Sequence, residues 1–262
     1  MKIDDFIKNI GNSRKNGSNK DCYLFDEYVL LYGSCKEDEI KRVMKITSEL
    51  DQQGVAALPT LAYKIVVPPN ELGYMRGYTL QRRAKGSELY YYRMPEAEYQ
   101  KRLAEVAKMV PKGMDKFVSD WLAIREAGLI IDPSKAENFF YSEGGISFID
   151  LNLSDRGGVE LKTEFHRASA VLTGLRLKYQ YTPNEKNFNQ VLKGLTQAFF
   201  DQGLTAPEAE EILSGYVKDK EQLKTIIISA QKRRTNQDHP SKKSQPVPTS
   251  LHMLKNARSG RP

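Results

Sequence analysis

The chain has 262 residues, 40% of them hydrophobic, and a mean hydropathy of −0.56. This length accommodates one large domain, or two small ones that share a core. No apolar run approaches the roughly 20 residues needed to span a bilayer, and the N-terminus is acidic where a secretory signal is basic and then apolar, so a cytoplasmic protein is expected. Two cysteines and three scattered histidines exclude a disulfide framework and a structural zinc site.

The net charge of +7 is confined to the C-terminal segment. Eight basic residues and a single acid lie between Gln231 and Pro262, so the rest of the chain is neutral. A neutral body argues against a nucleic-acid-binding domain, and a polar, proline-containing basic segment predicts a flexible tail over 233–262. Two interpretations of the tail stay open: a solubilising terminus, or a contact with an acidic partner such as RNA or a membrane surface.

Short strands and one helix are predicted for the first part of the chain. Apolar runs at 22–25 and 28–32 are separated by two acids, as in a hairpin. The segment 36–51 has its apolar residues on one helical face, with Ser34 as the expected cap. Two more strands are predicted at 61–67 and 77–83.

From Pro95 onward the pattern is helical, apart from one hairpin. Apolar stripes predict helices over 95–110 and 114–127, each ending at a proline or glycine. Three more helices are predicted near 160–178, 183–202 and 206–232, and the last two begin with the capping-box sequences Thr182–Glu185 and Thr205–Glu208.

The embedded hairpin is the most informative feature. Apolar runs at 139–141 and 146–149 are joined by a Glu-Gly-Gly turn, with Asn138 before the first strand and Asp150 after the second. Both side chains are therefore expected near the same end of the hairpin. Amide and carboxylate oxygens are ligands that Mg²⁺ accepts alongside water and phosphate. The hairpin thus indicates a phosphotransfer site.

These segments resemble the protein-kinase-like superfamily over roughly residues 5–200, with a compactness closer to its small bacterial and aminoglycoside- or choline-phosphotransferase branches. The run 127–141, which contains Lys-Ala-Glu-Asn-Phe-Phe, is similar to the catalytic loop, and Phe-Ile-Asp-Leu-Asn at 148–152 is similar to the Asp-Phe-Gly segment. The run 77–89 is similar to the strand, hinge and linker between the lobes. The implied fold is α+β and two-lobed: a small antiparallel sheet with one helix (1–83), then a helical lobe with an embedded hairpin (84–232).

The resemblance also implies roles for individual residues, with ATP and Mg²⁺ as cofactors. Asn138 and Asp150 would hold magnesium, Asp132 would orient or deprotonate the attacking hydroxyl, and Lys135 would lie against the γ-phosphate. The backbone of Gln81, Arg82 and Arg83 would contact adenine.

Two departures from the family pattern stand out. An ungapped match puts Pro133, not Asp132, at the place of the catalytic aspartate. The phosphate-gripping lysine expected within 28–33 is missing, and Leu31 or Tyr32 occupies its position. The replacement candidates are Lys20, one strand earlier, and Lys36, just beyond.

The carboxylate partner for such a lysine is expected on the helix 36–51. Glu39 is the first candidate and Glu49 the second. The glycine-containing run 10–18 is a candidate phosphate loop or an ordinary turn.

Two functions follow from these features. One is an ATP- and Mg²⁺-dependent phosphotransferase, most simply a minimal Ser/Thr protein kinase, with a protein or small-molecule hydroxyl acceptor. The other is a pseudokinase that binds a nucleotide or a partner without catalysis. The sequence leaves open the acceptor, the oligomeric state and whether the protein is delivered into a host cell as an effector.

Overall fold

A computed structural model describes residues 2–11, 14–16, 20–132, 135–154, 159–178 and 180–237. They form a sheet-containing lobe followed by a helical lobe that carries a small hairpin. The two-lobed α+β arrangement implied by the resemblance is thus confirmed. No helix in these ranges is long and apolar enough to cross a membrane.

The first lobe is a five-stranded antiparallel sheet with two helices. Its strand order is β1-β2-β3-β5-β4. The four predicted strands are present within a few residues of their expected bounds, whereas the first helix and strand were not predicted. The elements are α1 (Ile3–Lys8), β1 (Arg14–Asn16), β2 (Lys20–Leu24), β3 (Tyr28–Cys35), α2 (Glu37–Gln52), β4 (Thr60–Val67) and β5 (Met75–Arg82).

The two faces of this sheet have different neighbours. Leu30 of β3 and Leu80 of β5 are buried in a cluster with Phe6 of α1, so α1 covers one face. On the other face, Tyr63 of β4 donates a hydrogen bond of 2.8 Å to Glu37 Oε1 of α2. Side chains alternate along a strand, so neighbouring residues of β3 face α1 and α2 in turn.

The second lobe is mainly helical. Its elements are β6 (Ser87–Glu88), α3 (Glu96–Glu126), β7 (Leu129–Ile130), β8 (Phe139–Ser142), β9 (Gly145–Phe148), β10 (Asn152–Leu153), α4 (Leu161–Leu172), α5 (Leu175–Lys178), α6 (Glu185–Asp201), α7 (Ala206–Leu213) and α8 (Lys220–Gln237). The predicted hairpin is confirmed as β8 and β9. Trp121 of α3 stacks on Phe139 at 5.8 Å between ring centroids, and Phe117 stacks on Phe148 at 5.6 Å. The hairpin is therefore fixed to the longest helix by buried aromatic rings.

The predicted break in the helical region after residue 110 is wrong, because α3 continues through Pro111. A proline lacks the N–H that would bond the carbonyl four residues earlier, here that of Ala107. Gln190 of α6 donates its Nε2 to that carbonyl at 2.9 Å. A side chain from another helix thus satisfies the group that Pro111 leaves unpaired.

Only one of the predicted caps is confirmed in full. The Glu208 carboxylate accepts hydrogen bonds from the N–H and Oγ1 of Thr205, at 2.9 and 2.6 Å. The box at Thr182 is wrong: Asn184 caps α6 and accepts from the N–H of Asn187 at 3.1 Å. Ser34 belongs to β3 and does not cap α2, whose first flanking residue makes no side-chain cap bond.

The last predicted helix, 206–232, is divided in the structure. Residues 214–219 separate α7 from α8, and the amides of Tyr216 and Val217 both donate to the carbonyl of Leu213. Helix α8 continues to Gln237, into the segment predicted as a tail. The lobe bounds 1–83 and 84–232 and the tail 233–262 stay predictions, and residues 238–262 lie outside the described residues.

Candidate functional site

Asp132 and Asp150 lie just beyond a short ladder between β7 and β10. These strands are antiparallel, with Leu129 opposite Leu153 and Ile130 opposite Asn152. Asp132 follows the last paired residue of β7 by two positions, and Asp150 precedes the first paired residue of β10 by two positions. The ladder therefore brings to one end the chain segments that carry the two aspartates, although these are separated by 18 positions in the chain.

Asn138 approaches the same point from the hairpin. It ends a single 3₁₀ turn, with its N–H donating to the carbonyl of Lys135 at 2.9 Å. Its own carbonyl accepts from the N–H of Ile149 at 2.9 Å, so Asn138 lies beside the residue that precedes Asp150. Asn138 is buried, with 8% of its surface exposed. A backbone hydrogen bond thus joins Asn138 to the residue next to Asp150.

The backbone of Asp150 has an unusual conformation. Its φ is +51°, in the left-handed region that few residues other than glycine adopt. The chain changes partner strands here, since β9 pairs with β8 and β10 pairs with β7. Aspartate is one of the non-glycine residues that adopt this region most often, and here it does so at a change of strand partner.

The loop between Asp132 and Lys135 is only partly described. The N–H of Lys135 donates to the carbonyl of Asp132 at 3.3 Å, which closes a turn. Pro133, the residue in register with the catalytic aspartate of the family, lies outside the described residues. The structure thus places Lys135 one turn from Asp132 and at the start of the 3₁₀ turn that carries Asn138.

The sheet face toward α2 has no lysine on β3. Leu31 is directly opposite Thr79, which is directly opposite Tyr63, so all three share the α2 face. Of the two residues expected at the position of the missing lysine, it is therefore Leu31 that points to this side, whereas Tyr32 contacts the cluster under α1. The backbone of Lys20 pairs with Gly33, two residues after Leu31 on β3.

Lys36 contacts Tyr74 and Glu39. Its Nζ lies 4.9 Å from the ring centroid of Tyr74 and 3.7 Å from Glu39 Oε1. Both partners of this ion pair are exposed, by 40% and 54% of their side chains. The structure thus places Glu39 and Lys36 together at the start of α2, outside the sheet.

Two carboxylates of α2 contact the sheet, and the sequence analysis named neither. Glu37 Oε1 accepts from Tyr63 and lies 2.9 Å from Lys41 Nζ, and Lys41, then Tyr63, lower the pKa of the Glu37 carboxyl. Asp51 pairs with Arg82 of β5 at 3.0 Å. The second candidate from the sequence, Glu49, lies 4.0 Å from Lys45 on the helix surface. Glu37 is three residues before Ile40, where the predicted apolar face begins, and this spacing is the signal that could have identified it.

The expected hinge makes many contacts within the protein. The amide of Arg82 donates to Pro59 O at 3.3 Å and that of Arg83 to Glu27 O at 2.8 Å. The Gln81 side chain donates to Thr60 Oγ1 at 3.0 Å. Ala84 follows Arg83, and among the described residues after Arg83 it is the first whose amide makes no hydrogen bond.

Beyond the hinge, the linker pairs with the hairpin. Ser87 and Glu88 form β6 against β8, and the N–H of Leu89 donates to Phe139 O at 2.6 Å. Gly86 has φ +87°, and a Cβ there would collide with the carbonyl of Tyr141. Glycine is therefore required where the linker meets the hairpin.

A buried ionic network holds the start of β7. Glu164 of α4 accepts from Trp121 Nε1 at 2.9 Å, Arg125 Nε at 3.2 Å and Arg167 Nη1 at 2.9 Å. Arg125 also donates to the carbonyl of Leu129 at 3.2 Å. The strand that leads to Asp132 is thus tied to α3 and α4.

Three solved structures illustrate what the chain is similar to. Amicoumacin kinase hAmiN in complex with AMP-PNP, Ca²⁺ and Ami is 12% identical with a TM-score of 0.44, and the match covers 94% of this chain and 86% of that one. WaaP in complex with acyl carrier protein is 12% identical with a TM-score of 0.35, covering 91% and 93%. A choline/ethanolamine kinase family protein from Mesorhizobium loti is 11% identical with a TM-score of 0.34, covering 93% and 90%.

No protein-family model matches the chain, and none of the curated proteins does. At these identities and TM-scores, the roles of individual residues rest on the geometry of this chain alone.

Proposed function

We propose that this chain is a phosphotransferase that moves the γ-phosphoryl group of ATP to a hydroxyl acceptor, with Mg²⁺. The observation that supports the proposal is the β7–β10 pairing, at one end of which lie the chain segments of Asp132 and Asp150, together with the hydrogen bond between Asn138 and Ile149. Phosphoryl transfer needs groups that position the reactants and neutralise charge. Two carboxylates and an amide at one end of two ladders supply such groups.

The residues present fit a magnesium ion. No group of three or more His, Cys, Asp or Glu suited to a metal occurs in the described part of the chain. Magnesium bound with nucleotide does not need one, because it takes one or two protein oxygens and completes its shell with water and phosphate. Asp150 and the Asn138 carboxamide would hold it, and when bound it would neutralise charge on the phosphates.

Asp132 and Lys135 would act on the reacting groups. The Asp132 carboxylate would accept a hydrogen bond from the acceptor hydroxyl and take up its proton. Lys135, at the other end of the same turn, would neutralise charge on the transferred phosphoryl oxygens. The turn bond between their backbones supports this division of roles.

We further propose that Lys20 replaces the missing lysine of β3. Its backbone pairs with Gly33, two residues after Leu31 on β3. Lys36 is less suited to this role, because its ammonium group is already engaged by Tyr74 and Glu39. On α2, Glu37 is the carboxylate best placed to orient side chains of this sheet face, because it accepts a hydrogen bond from Tyr63.

A pseudokinase is the second candidate, and two observations favour it. Leu31 is apolar where a phosphate-gripping lysine is expected. The amides of Arg82 and Arg83, expected to contact adenine, are already hydrogen-bonded to Pro59 and Glu27. In this alternative the fold would bind a nucleotide or a partner without turnover.

The acceptor is expected to be a protein or small-molecule hydroxyl. Ten residues separate Asp150 from Leu161, the first residue of α4. A segment of this length leaves little room for a platform that holds an extended peptide. A compact acceptor is therefore favoured over the protein substrate of a minimal Ser/Thr kinase. The basic tail, a cytoplasmic site of action and delivery into a host cell stay predictions.

The decisive experiment combines nucleotide binding with turnover. Calorimetry with ATP and Mg²⁺ would be followed by incubation with labelled ATP and a mixed pool of hydroxyl acceptors. Asp150→Asn and Asp132→Asn should each lower turnover by about a hundredfold or more. Asp115→Asn, on the exposed surface of α3, makes the same chemical change and should leave turnover unchanged.

The outcomes separate the two candidates. ATP binding without turnover in any acceptor pool would support the pseudokinase, and turnover that survives in Asp150→Asn would refute the assigned site. Lys20→Met should weaken ATP binding while Lys36→Met should not. The reverse result would assign the phosphates to Lys36.

A further inference from the structure

The connecting segment 54–59, between α2 and β4, makes contacts with both lobes. Near its start, the amide of Val55 donates to the carbonyl of Leu50 in α2 at 3.0 Å. At its end, the carbonyl of Pro59 accepts from the amide of Arg82 in β5 at 3.3 Å. The segment is therefore fixed to the first lobe at both ends, and its middle contacts the second lobe.

Asp120 of α3 binds the middle of this segment. Its Oδ2 accepts a hydrogen bond from the N–H of Ala56 at 3.1 Å, and the aspartate is only 5% exposed. Lys116, one turn earlier on α3, donates to Asp120 Oδ2 at 2.7 Å and to the carbonyl of Gly54 at 2.9 Å. A buried carboxylate needs such partners to offset the loss of its hydration. Two side chains of α3 thus hold the segment against the second lobe.

The same segment pairs with the end of β9. The carbonyl of Ala56 accepts from the N–H of Phe148 at 3.0 Å, and the N–H of Leu58 donates to the carbonyl of Phe148 at 3.3 Å. Ala57 and Phe148, both buried, form a parallel bridge here. Phe148 is two residues before Asp150. Ala56 thus joins Asp120, through its N–H, to the strand that leads to Asp150, through its carbonyl.

Ring packing also holds Phe148 to α3, but it restrains the strand less specifically. Phe148 stacks on Phe117 and meets Trp121 edge-on at 6.2 Å between centroids. Such contacts bury apolar area, whereas hydrogen bonds to both backbone groups of Phe148 fix its direction and distance from the segment 54–59. Because that segment continues into β4, these bonds align the first lobe with Asp150.

From these contacts we infer that Asp120 is a positioning residue for the metal-binding end of the site. It sets Asp150 relative to the first lobe, because the segment that it binds is hydrogen-bonded to both β9 and β5. Asp120 itself touches neither nucleotide nor metal, and its effect passes through Ala56 and Phe148. The inference rests on the proposed function, since it assigns Asp150 to the magnesium ion of the nucleotide.

Calorimetry on the full chain, with ATP in the presence and absence of Mg²⁺, would test this role. The wild type should bind ATP more tightly with Mg²⁺, and Asp120→Ala should reduce this gain in affinity at least about tenfold while binding metal-free ATP as the wild type does. Asp120→Asn keeps an oxygen that can accept from Ala56, so it should retain most of the gain. A full gain in Asp120→Ala, or equal losses in the two variants, would overturn the inference.

Two controls separate positioning from general destabilisation. Asp115→Ala removes an exposed carboxylate of the same helix and should leave the gain from Mg²⁺ unchanged. Leu223→Ala creates a cavity under α8, a helix that packs on α6 and α7, so it should lower the melting temperature without changing the gain. A purely structural Asp120 would behave in the same way as Leu223, and equal losses of the gain in these two alanine variants would overturn the inference.

Hydrogen exchange at the amide of Phe148 tests the contact independently of phosphotransfer. This amide should exchange at least about tenfold faster in Asp120→Ala than in the wild type, and at the wild-type rate in Asp115→Ala. An unchanged rate in Asp120→Ala would overturn the inference whether or not the protein binds ATP. If Mg²⁺ does not strengthen ATP binding in the wild type, the proposed function is refuted, and faster exchange in Asp120→Ala would still support the positioning contact.

Discussion

Replacing Glu164 with alanine should destabilise the protein far more than removing an exposed carboxylate. Glu164 and Arg125 are almost fully buried, with 3% and 8% of their side chains exposed. The glutamate also accepts from Trp121 and Arg167. Its removal would leave the buried Arg125 guanidinium without its counter-ion and the Trp121 N–H without an acceptor.

The magnitude follows from this burial. Breaking a buried ion pair by removing one partner costs about 3–5 kcal/mol, because the remaining charge stays desolvated. For a protein of this size each kcal/mol corresponds to about 2–4 °C, so the melting temperature should fall by about 6–20 °C. Glu211 is the matched control: it pairs with Lys162 at 2.7 Å, but 65% of its side chain is exposed. Glu211→Ala should cost less than about 1 kcal/mol.

Thermal and urea unfolding of Glu164→Ala, Glu211→Ala and the wild type would measure this difference. Equal losses of stability in the two variants would show that the buried network does not stabilise the lobe. The loss of stability in Glu164→Gln should lie between those of the two alanine variants. The amide still accepts a hydrogen bond but no longer balances the charge of Arg125.

Three further predictions concern the linker, the contact between lobes and α2. Gly86→Ala should cost about 2 kcal/mol or more in urea unfolding, because its new Cβ would collide with Tyr141. Gly54→Ala, at φ +76° with open space around it, should cost only about 1 kcal/mol. Equal costs would show that the collision is relieved. Asp120→Ala removes the acceptor of the Ala56 amide, at 3.1 Å, and should cost about 1.5–3 kcal/mol, while Asp115→Ala, at an exposed position of the same helix, should cost less than about 1 kcal/mol. Carbon-detected NMR titration should give Glu37 a pKa below that of an ordinary glutamate, and Lys41→Met should raise it; an unchanged pKa in Lys41→Met would contradict the geometry.

Features encoded over a few residues were predicted well from the sequence. The β8–β9 hairpin is specified by two apolar runs and the turn between them, and the cap of α7 by the spacing of Thr205 and Glu208. The three long strands of the first lobe are specified by their apolar and aromatic runs. In each case the interacting groups are close in the chain, so the local pattern is sufficient.

Features that depend on distant contacts were not predicted. The sequence favours a helix end near Pro111, but Gln190, nearly 80 residues later, supplies the hydrogen bond that lets α3 continue. From the sequence Glu39 was the first candidate on α2 and Glu49 the second, and only the coordinates show that it is Glu37 that Tyr63 of the sheet binds. Such choices require coordinates, because they depend on which surfaces the fold brings together.

The candidate site combines both kinds of information. The sequence by itself determined the residue types, the hairpin that carries Asn138 and Asp150, and the absence of a lysine on β3. Only the tertiary structure decided that the segments of Asp132 and Asp150 lie at the same end of one ladder, because that ladder joins strands separated by the whole hairpin. It also decided which face of β3 carries Leu31, since a shift of one residue in a strand moves a side chain to the opposite face.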